Sequence, residues 1–553
     1  MKIKKLKIEG FRSIKNPIDV SLPNICALVG PNNCGKSNIV AAINTVLNKD
    51  WITVNSFDES DVYCQEENRD IKIEIEFEKP FDYYAYSGAS PVPIPKIGFL
   101  YTRYKIGPQK GQRRLSKTCL SDSNQEITVL AKRPKKGEPH QYEVLNTIPQ
   151  ILQESIPVIF VGTDRTLKSQ LPGSRNSILG ILLNDINTDF LKKENVITGK
   201  NVDGETVSVP RSERFEKCIQ EAIKALKTDA FLELEKSIKT NALNQLGFDQ
   251  SDSEKLDIFF NPLSSIAFYK SLNIWVKECD YTINATDLGA GFQNAIVISI
   301  IKAFEERKKS GAIFLIEEPE MFLHPQMQRS LYKTIREIGK TNQVIYITHS
   351  PNFVTIPEFD EILMVRKDNN GTRVIQSTLT ADDRLKDKLR KELDPERNEL
   401  FFAQKILIVE GDTEKLAIPE YAKRENIDLD KLGVSIVEVG GKRNIIDFVT
   451  LTTSFNLPTG FIYDLDSSDF PNKDDETAYN KTLDIFEDQG VKIWRMNKKY
   501  EDELRNAWTD IAYQKYCSKY QQKSKALKAR LMASDPEIPI PQFITSILRW
   551  LKN

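Results

Sequence analysis

A glycine-rich loop directly after a short apolar strand is the feature that most constrains the fold of this chain. Residues 30–37 read Gly-Pro-Asn-Asn-Cys-Gly-Lys-Ser and fit the pattern G-x-x-x-x-G-K-S. They follow the apolar run 25–29 and precede residues 38–43, which suit the start of a helix. A loop in this setting curls its backbone N–H groups around phosphate oxygens at a helix N-terminus. The sequence therefore predicts an α/β fold with a nucleotide site.

Each predicted contact in this loop has its own physical role. Lys36 adds positive charge toward the terminal phosphates, and Ser37 offers a hydroxyl to magnesium. The predicted cofactor-binding residues of the loop are Gly30, Asn33, Gly35, Lys36 and Ser37. The alternative is a chance glycine turn, against which the flanking strand and helix patterns argue.

Two further apolar runs end in residues that suit nucleotide chemistry. Residues 313–316 are followed by paired acids, and we predict that Glu317 holds the metal while Glu318 acts as a base toward water. A solvated acidic turn is the alternative. Residues 344–348 are followed by His349 at the carboxyl end of a predicted strand, where the sites of α/β proteins gather. A lone histidine is otherwise usually structural.

Together these motifs resemble the ABC-type ATPase heads of chromosome-maintenance and repair proteins. The resemblance includes an early I-x-G-F-R-S element at residues 8–13. In that family a signature loop from one protomer closes on the nucleotide of the other, and residues 288–293 are similar to that loop. The resemblance implies that Gly289, Gly291 and His349 also contact ATP. The serine usual in ABC transporters is missing here, so the sequence leaves open whether ATP is hydrolysed.

Acidic residues in the last third of the chain occur at the ends of predicted strands. Glu410 closes the apolar run 406–409, and Glu414 lies one helical turn further on the same face. Asp464 and Asp466 close another apolar strand and point the same way. Such acids repel each other unless cations neutralise them, and oxygen ligands suit Mg²⁺ or Mn²⁺ better than zinc. The pattern predicts a two-metal site for phosphodiester hydrolysis, with unrelated acidic turns as the alternative.

The order of these motifs resembles a Toprim domain, the catalytic module of topoisomerases, primases and certain nucleases. With the ABC-type head before it, the chain is similar to the OLD (overcoming lysogenization defect) family of ATP-dependent nucleases. The resemblance implies that Glu410, Glu414, Asp464 and Asp466 are catalytic metal ligands, with Glu501 or Glu503 as a further ligand.

The OLD family also uses a late lysine near the scissile phosphate. We assign this role to Lys528, with Lys525 as the second choice. Residues 513–530 hold six basic residues, no acids and three tyrosines, which suits phosphate contacts with some stacking. A solvated basic helix explains that composition equally well. Residues 96–140 hold eleven Lys or Arg against three acids, which indicates either a second DNA-facing surface or a soluble loop.

The patterns along the 553 residues suit several folding units of α/β class. We predict an ATPase domain in two parts, 1–170 and 261–380, around a helical insertion at 171–260. A linker over 381–400 leads to the Toprim domain at 401–553. OLD family members carry a dimerisation module at the place of the insertion, so the resemblance implies a homodimer or a larger homo-oligomer.

Composition limits the remaining possibilities. The 77 Lys and Arg nearly cancel the 78 Asp and Glu, so nucleic-acid binding must come from local patches. No apolar stretch suits a membrane span and the first residues do not form a signal core, which predicts a cytoplasmic protein without a membrane partner. The scattered cysteines and histidines argue against a zinc site or a disulfide framework.

The leading hypothesis is an ATP-binding, metal-dependent DNA endonuclease or nickase. A topoisomerase would need a nucleophilic tyrosine on a further domain, and a primase would polymerise nucleotides. The alternative from another class is a nucleotide-gated DNA-binding or sensing subunit whose cutting is done by a partner. The OLD resemblance also implies bacterial anti-phage defence, either alone or beside a helicase or a reverse transcriptase with RNA-linked DNA.

Overall fold

The computed structural model describes most of the chain and divides it into two compact units. One unit comprises Met1–Thr163 and Lys309–Asn553, and the other comprises Asp164–Lys308. The described residues are 1–47, 52–130, 141–163, 167–172, 177–200, 206–245, 264–278, 280–307, 311–354, 356–379, 386–389, 396–465, 472–497, 499–521 and 523–552.

The strands of the described ranges form six sheets. In chain order they are β1 (Ile3–Glu9), β2 (Ile18–Ser21), β3 (Ile25–Val29), β4 (Ile71–Tyr83), β5 (Val92–Arg103), β6 (Arg113–Leu120), β7 (Thr128–Leu130), β8 (Tyr142–Val144), β9 (Val158–Val161), β10 (Val196–Lys200), β11 (Thr206–Pro210), β12 (Trp275–Glu278), β13 (Tyr281–Asn284), β14 (Ile313–Glu317), β15 (Gln343–Ile347), β16 (Ile362–Asp368), β17 (Gly371–Gln376), β18 (Lys405–Val409), β19 (Val434–Glu438), β20 (Thr459–Asp464) and β21 (Lys492–Met496).

The α-helices lie between and after these strands. In chain order they are α1 (Lys36–Leu47), α2 (Gln150–Ser155), α3 (Leu167–Gln170), α4 (Ile178–Phe190), α5 (Arg211–Leu226), α6 (Asp229–Gln245), α7 (Ser265–Lys270), α8 (Ala290–Arg307), α9 (Pro325–Thr341), α10 (Asp412–Arg424), α11 (Ile445–Ser454), α12 (Lys473–Asp488), α13 (Tyr500–Ala507), α14 (Asp510–Ser518), α15 (Lys525–Ser534) and α16 (Gln542–Lys552).

A six-stranded sheet carries the nucleotide loop. Its order is β17-β16-β3-β15-β14-β9, and β3 pairs in parallel with both β15 and β16. Strands β3 and β15 are buried at every residue, as expected for parallel strands that are covered on both faces. Their apolar runs bring the ends of β3, β14 and β15 to one edge, so the loop after each strand meets the others there.

A five-stranded antiparallel sheet packs beside it in the order β2-β1-β4-β5-β6. Buried residues alternate with more exposed ones at the start of β4, which is typical of a half-buried strand. Buried side chains of both sheets, such as Ile8, Ile73 and Leu28, belong to one hydrophobic core. This shared core fixes the antiparallel sheet against the nucleotide-binding sheet.

The predicted Toprim region contains a four-stranded sheet in the order β19-β18-β20-β21, with every neighbouring pair parallel. Ile408 on β18 lies opposite Phe461 on β20, so the two strands end side by side. Helices α10, α13, α15 and α16 supply residues to a core with β18 and β20. The carboxyl ends of β18 and β20 are therefore neighbours, and the four helices pack against these strands.

The unit Asp164–Lys308 is largely helical. Helix α5 lies within the predicted helical insertion. Edge-to-face ring contacts join α4, α5 and α7 through Phe190, Phe215, Phe268 and Tyr269. Two hairpins, β10-β11 and β12-β13, complete this unit. Across the described part of the chain, no helix is both long and apolar enough to cross a membrane.

Candidate functional site

The nucleotide loop depends on two glycines. Gly30 has a φ of +150° and Gly35 a φ of +104°. A Cβ atom on Gly30 would lie 2.0 Å from the carbonyl oxygen of Val365, and one on Gly35 would lie 2.3 Å from Oγ1 of Thr372. These close approaches require glycine, because any side chain would push the loop away from β16 and β17.

The side chain of Lys36 is buried within this loop. Its Nζ donates hydrogen bonds to the carbonyl oxygens of Gly30, at 2.8 Å, and Pro31, at 2.9 Å. Burial lowers the pKa of Lys36, and the negative charge of Glu318 opposes that shift. The ammonium is therefore held at the strand edge, at the first residue of α1, where phosphate is expected.

The other predicted contacts of the loop lie at its surface. Asn33 is exposed and adopts a φ of +61°, a conformation that asparagine tolerates, and Ser37 is exposed in the first turn of α1. The early I-x-G-F-R-S element also reaches the loop, because Oγ of Ser13 accepts a hydrogen bond from Nδ2 of Asn38 at 2.6 Å. The sequence motif thus has a direct structural contact with α1.

The paired acids and the histidine lie next to the nucleotide loop. Glu317 is the last residue of β14, and Glu318 has a φ of +45° with its backbone N–H bonded to the carbonyl of Ile347 at 2.8 Å. Nε2 of His349 lies 3.9 Å from Oε1 of Glu318. Burial lowers the pKa of His349, and the charge of Lys36 lowers it further. The imidazole is therefore neutral at pH 7 and able to accept or donate a hydrogen bond.

Glu320 is a further residue of this site that the sequence analysis missed. Its Oε1 accepts hydrogen bonds from the backbone N–H of His349 at 2.6 Å and from Oγ1 of Thr348 at 2.9 Å. Its Oε2 is buried and has no hydrogen-bond partner among the described residues. Burial raises the pKa of Glu320. The signal available in the sequence was a third acid after the pair, in Glu-Glu-Pro-Glu.

The signature-like loop lies in the unit Asp164–Lys308. Gly289 precedes α8 and Gly291 is in its first turn. The Gln293 side chain holds the loop, since its Nε2 donates to the carbonyl oxygens of Thr286 at 2.9 Å and Leu288 at 2.7 Å. A Cβ atom on Gly289 would contact nothing within 4 Å, so its backbone is open to a ligand. The ATP contacts of both glycines stay predictions.

The predicted carboxylates meet at the end of the four-stranded sheet. Oε1 of Glu410 accepts a hydrogen bond of 2.6 Å from the backbone N–H of Asp464. Glu414 is buried in the first turn of α10, one turn beyond Glu410. Three acids from two distant segments of the chain therefore share one site.

Protonation of these acids is strongly perturbed. Burial and, to a smaller extent, the charge of Asp464 raise the pKa of Glu410 to about 8. Burial likewise raises the pKa of Glu414 to about 7 and that of Asp464 to about 7. Carboxyl groups in this state need either protons or cations to neutralise them.

A divalent cation fits these residues chemically. Oδ1 of Asp464 is buried without a hydrogen-bond partner in the described ranges, and an oxygen donor of this kind suits Mg²⁺ or Mn²⁺. Within those same ranges, no three His, Cys, Asp or Glu side chains form a metal-binding group as they stand. The predicted ligand Asp466 lies outside the described residues. Glu410, Glu414 and Asp464 are the residues that would hold the cation.

The structure discriminates between the two predicted acids of α13. Oε2 of Glu501 lies 3.1 Å from Nζ of Lys525, and the charge of Glu501 raises the pKa of both Glu414 and Asp464. Oε1 of Glu503 instead accepts a hydrogen bond from the backbone N–H of Asn497 at 2.9 Å. The geometry favours Glu501 as the acid of the site and gives Glu503 a local structural contact.

The geometry also favours Lys525, our second choice, over Lys528 as the lysine of the site. The charge of Lys525 lowers the pKa of Asp464 and of Glu414, which places its ammonium near these carboxylates. Lys528 is one turn further along α15. Both lysines line a cavity of about 180 Å³ with Glu501 and Tyr513. The helical period explains the ambiguity, because residues three apart share a face of α15.

Lys442 is a second residue whose role the sequence analysis missed. It is fully buried, and its Nζ lies 2.7 Å from Oε1 of Glu476. The charge of Lys442 lowers the pKa of Glu410 and Asp464. The preceding Gly441 donates its N–H to the carbonyl oxygen of Glu410 at 2.9 Å. Residues 440–442, Gly-Gly-Lys, thus bring a lysine side chain close to the acids.

Comparison with known proteins defines the class of this chain. Residues 1–354 match the family model for the AAA ATPase domain. Residues 401–466 match the model for the overcoming lysogenization defect protein-like TOPRIM domain. The chain is therefore an ATPase-domain protein that also carries a TOPRIM domain.

Three relatives match most of the chain at low identity. It is 28% identical to the OLD nuclease of Thermus scotoductus over 87% of this chain and 85% of that protein. It is 24% identical to endonuclease GajA of Bacillus cereus over 94% of this chain and 83% of the relative. It is also 24% identical to the Old nuclease of Escherichia phage P2 over 84% of this chain and 77% of the relative.

The chain belongs to the AAA ATPase-domain family, also carries an overcoming lysogenization defect protein-like TOPRIM domain, and is similar to OLD nucleases over most of its length. This confirms the predicted resemblance to the OLD family, the α/β fold class and the enzyme class of nuclease. The two domains indicate the use of a nucleotide and a divalent metal. The domain boundaries and the roles of individual residues stay predictions.

Proposed function

We propose that this chain is an ATP-binding DNA endonuclease or nickase whose cutting requires Mg²⁺ or Mn²⁺ at its TOPRIM domain. The observation that carries the proposal is the convergence of Glu410, Glu414 and Asp464 in a buried site that raises the pKa of all three. Burying three like charges is unfavourable unless cations bind there. The relatives named as nucleases and an endonuclease support phosphodiester hydrolysis as the reaction.

The chain's own residues each have a part in this reaction. Bound Mg²⁺ or Mn²⁺, in two positions if Asp466 completes the ligand set, would stabilise the charge that develops on the phosphodiester. Lys525 would neutralise charge on the scissile phosphate; its contact with Glu501 and its lowering of the Asp464 pKa support this role. Lys442, which is paired with Glu476, would contribute positive charge near Glu410 and Asp464.

The ATPase domain is proposed to control this centre as a dimer. Lys36 and Ser37 would bind the phosphates and magnesium, Glu317 would share that metal, and Glu318 would act on water with His349 nearby. Gly289 and Gly291 would close on the nucleotide from the other protomer. We further propose a homodimer or larger assembly in the cytoplasm that acts in anti-phage defence, alone or with a helicase or a reverse transcriptase partner.

Plasmid cleavage tests the proposal. Supercoiled DNA is incubated with Mg²⁺ or Mn²⁺, with and without ATP, and with wild type, Glu410→Ala, Asp464→Ala or Lys36→Ala. We expect loss of cutting in both acid variants and an altered response to ATP in Lys36→Ala. Glu503→Gln is the matched control, since that acid contacts only the Asn497 backbone among the bonds described above.

The outcomes separate the competing functions. Unchanged cleavage by both acid variants would refute the assignment of the site. Purified wild-type protein that binds DNA but never cuts it with any divalent ion would favour a nucleotide-gated binding subunit whose partner cuts. Stable covalent DNA adducts would instead indicate a topoisomerase.

A further inference from the structure

The hairpin that joins β5 to β6 combines an exposed apolar tip with a high local charge. Residues 101–120 contain six Lys or Arg and no acid. At the tip, the side chain of Ile106 is 84% exposed, a value that only Ile511 equals among the large apolar side chains of the described residues. A chain with a net charge of −1 has no general excess of cations, so this concentration is local.

A carboxylate bridge between two arginines fixes the base of the hairpin. Arg103 and Arg113 are directly opposite in the β5-β6 register, where like charges repel each other. The Glu59 carboxylate bridges them, with 2.7 Å from Oε1 to Nη2 of Arg103 and 2.7 Å from Oε2 to Nη2 of Arg113. These two cations hold the hairpin and are not available to a ligand.

The tip beyond them is an ordered turn. The backbone N–H of Tyr104 bonds to the carbonyl of Gln112 at 3.0 Å, and that of Gly111 bonds to the carbonyl of Tyr104 at 2.9 Å. The N–H of Lys110 bonds to the carbonyl of Gly107 at 3.1 Å. Hydrogen bonds thus extend the ladder almost to Ile106, so little ordering entropy remains to be lost when the tip binds.

Three cations of the hairpin differ from those at its base. Among the described residues, no carboxylate forms an ion pair with Lys105, Lys110 or Arg114. The guanidinium of Arg114 lies over the Tyr104 ring, 5.2 Å from its centroid. Exposed cations around an apolar side chain favour a polyanion whose interior is apolar, and duplex DNA has both properties. Two-stranded ribbons bind DNA in either groove, and apolar side chains can enter the minor groove between base steps.

We propose that residues 103–114 form a DNA-binding arm for duplex DNA. Lys105, Lys110 and Arg114 contact phosphates, and Ile106 enters the minor groove as an apolar wedge against a base step. Such contacts carry little base specificity, so the arm supplies affinity and position and leaves the choice of the cleaved bond to the TOPRIM site. The inference rests on the proposed function, since it takes DNA as the substrate.

Salt-dependent binding tests the arm in the full-length chain. A fluorescent duplex is titrated with protein that carries Glu410→Gln to prevent cutting, and the affinity is measured by anisotropy over a range of salt concentrations. Each lost phosphate contact reduces the slope of log K against log salt by about 0.9. The variant Lys105→Gln/Lys110→Gln is therefore expected to bind about tenfold more weakly at physiological salt, with the slope reduced by about 1.8.

The wedge predicts a different signature. Ile106→Ser is expected to bind about tenfold more weakly with an unchanged salt slope, because no charge is removed. The matched controls are Ile485→Ser, whose side chain is 56% exposed on the acidic helix α12, and Lys492→Gln, an exposed lysine of β21. Both controls are expected to bind as the parent does.

The results separate the arm from the proposed function. Parent-like affinity and slope in the lysine variant would overturn the phosphate contacts, and parent-like affinity in Ile106→Ser would overturn the wedge. Cleavage is measured in parallel without the Glu410 change. If wild type cuts DNA and the hairpin variants bind as tightly as the Glu410→Gln protein, the DNA-binding arm is refuted and the proposed function stands. If wild type does not cut DNA, the proposed function is refuted.

Discussion

Replacing Glu476 by glutamine removes the negative charge beside a fully buried lysine side chain. Nζ of Lys442 has 0% exposure, lies 2.7 Å from the Glu476 carboxylate and is 5.3 Å from the centroid of the Tyr463 ring. At an effective dielectric constant of about 20, two unit charges separated by the 2.7 Å between Lys442 and Glu476 attract by about 6 kcal/mol. Part of this is offset by the cost of burying the ions, and breaking such a pair typically costs about 3–5 kcal/mol. We therefore expect Glu476→Gln to destabilise the TOPRIM domain by about 3–5 kcal/mol.

Urea unfolding followed by tryptophan fluorescence measures this change. Three of the five tryptophans, at positions 494, 508 and 550, lie in the predicted TOPRIM domain, so their signal reports mainly on that domain. Asp475→Asn is the matched control, because Asp475 is exposed in the same first turn of α12. Replacing both partners, as Lys442→Met/Glu476→Leu, should recover most of the stability. A loss below about 0.5 kcal/mol in Glu476→Gln would refute the reasoning.

Three further predictions address the two sites. Because burial raises the pKa of Glu410 to about 8, a divalent cation must displace a proton below that pH, so the affinity for the cation should rise from pH 5 to pH 8. Calorimetry in two buffers should show proton release, and a pH-independent affinity would contradict this prediction. Lys525→Met should lower kcat for cleavage by about 100-fold and Lys528→Met by less than tenfold. The reverse order in single-turnover assays would favour Lys528 as the lysine of the site. Gly35→Ala should abolish binding of a fluorescent ATP analogue, since its Cβ would clash with Thr372, and normal binding would contradict the assigned loop geometry.

Local motifs accounted for most of the fold and for much of the site. Short buried strands that end in glycine or in acids are recognisable in sequence, because a covered parallel strand is apolar throughout and its carboxyl end is where polar residues begin. The nucleotide loop, the acids at 317 and 318 and the acids at 410, 414 and 464 all follow this rule, and the structure brings each group to one sheet edge. The predicted helical insertion at 171–260 likewise contains α5.

Choices between equivalent residues depended on the tertiary structure. Lys525 and Lys528 share a face of α15, and only the packing of α15 beside α13 shows which ammonium acts on Asp464. Glu501 and Glu503 are two residues apart in one helix, and only the observed hydrogen bond to Asn497 separates their contacts.

The sequence by itself determined which chemical groups this protein has and which ends of which strands carry them, because strand and helix periods are local properties of the chain. Tertiary structure alone decided which charges stand beside those groups. Lys442 and Glu476 are 34 residues apart, and Glu320 reaches His349 from 29 residues away. Electrostatic energy depends on distance through space and on burial, and neither quantity can be read from the separation of residues along the chain.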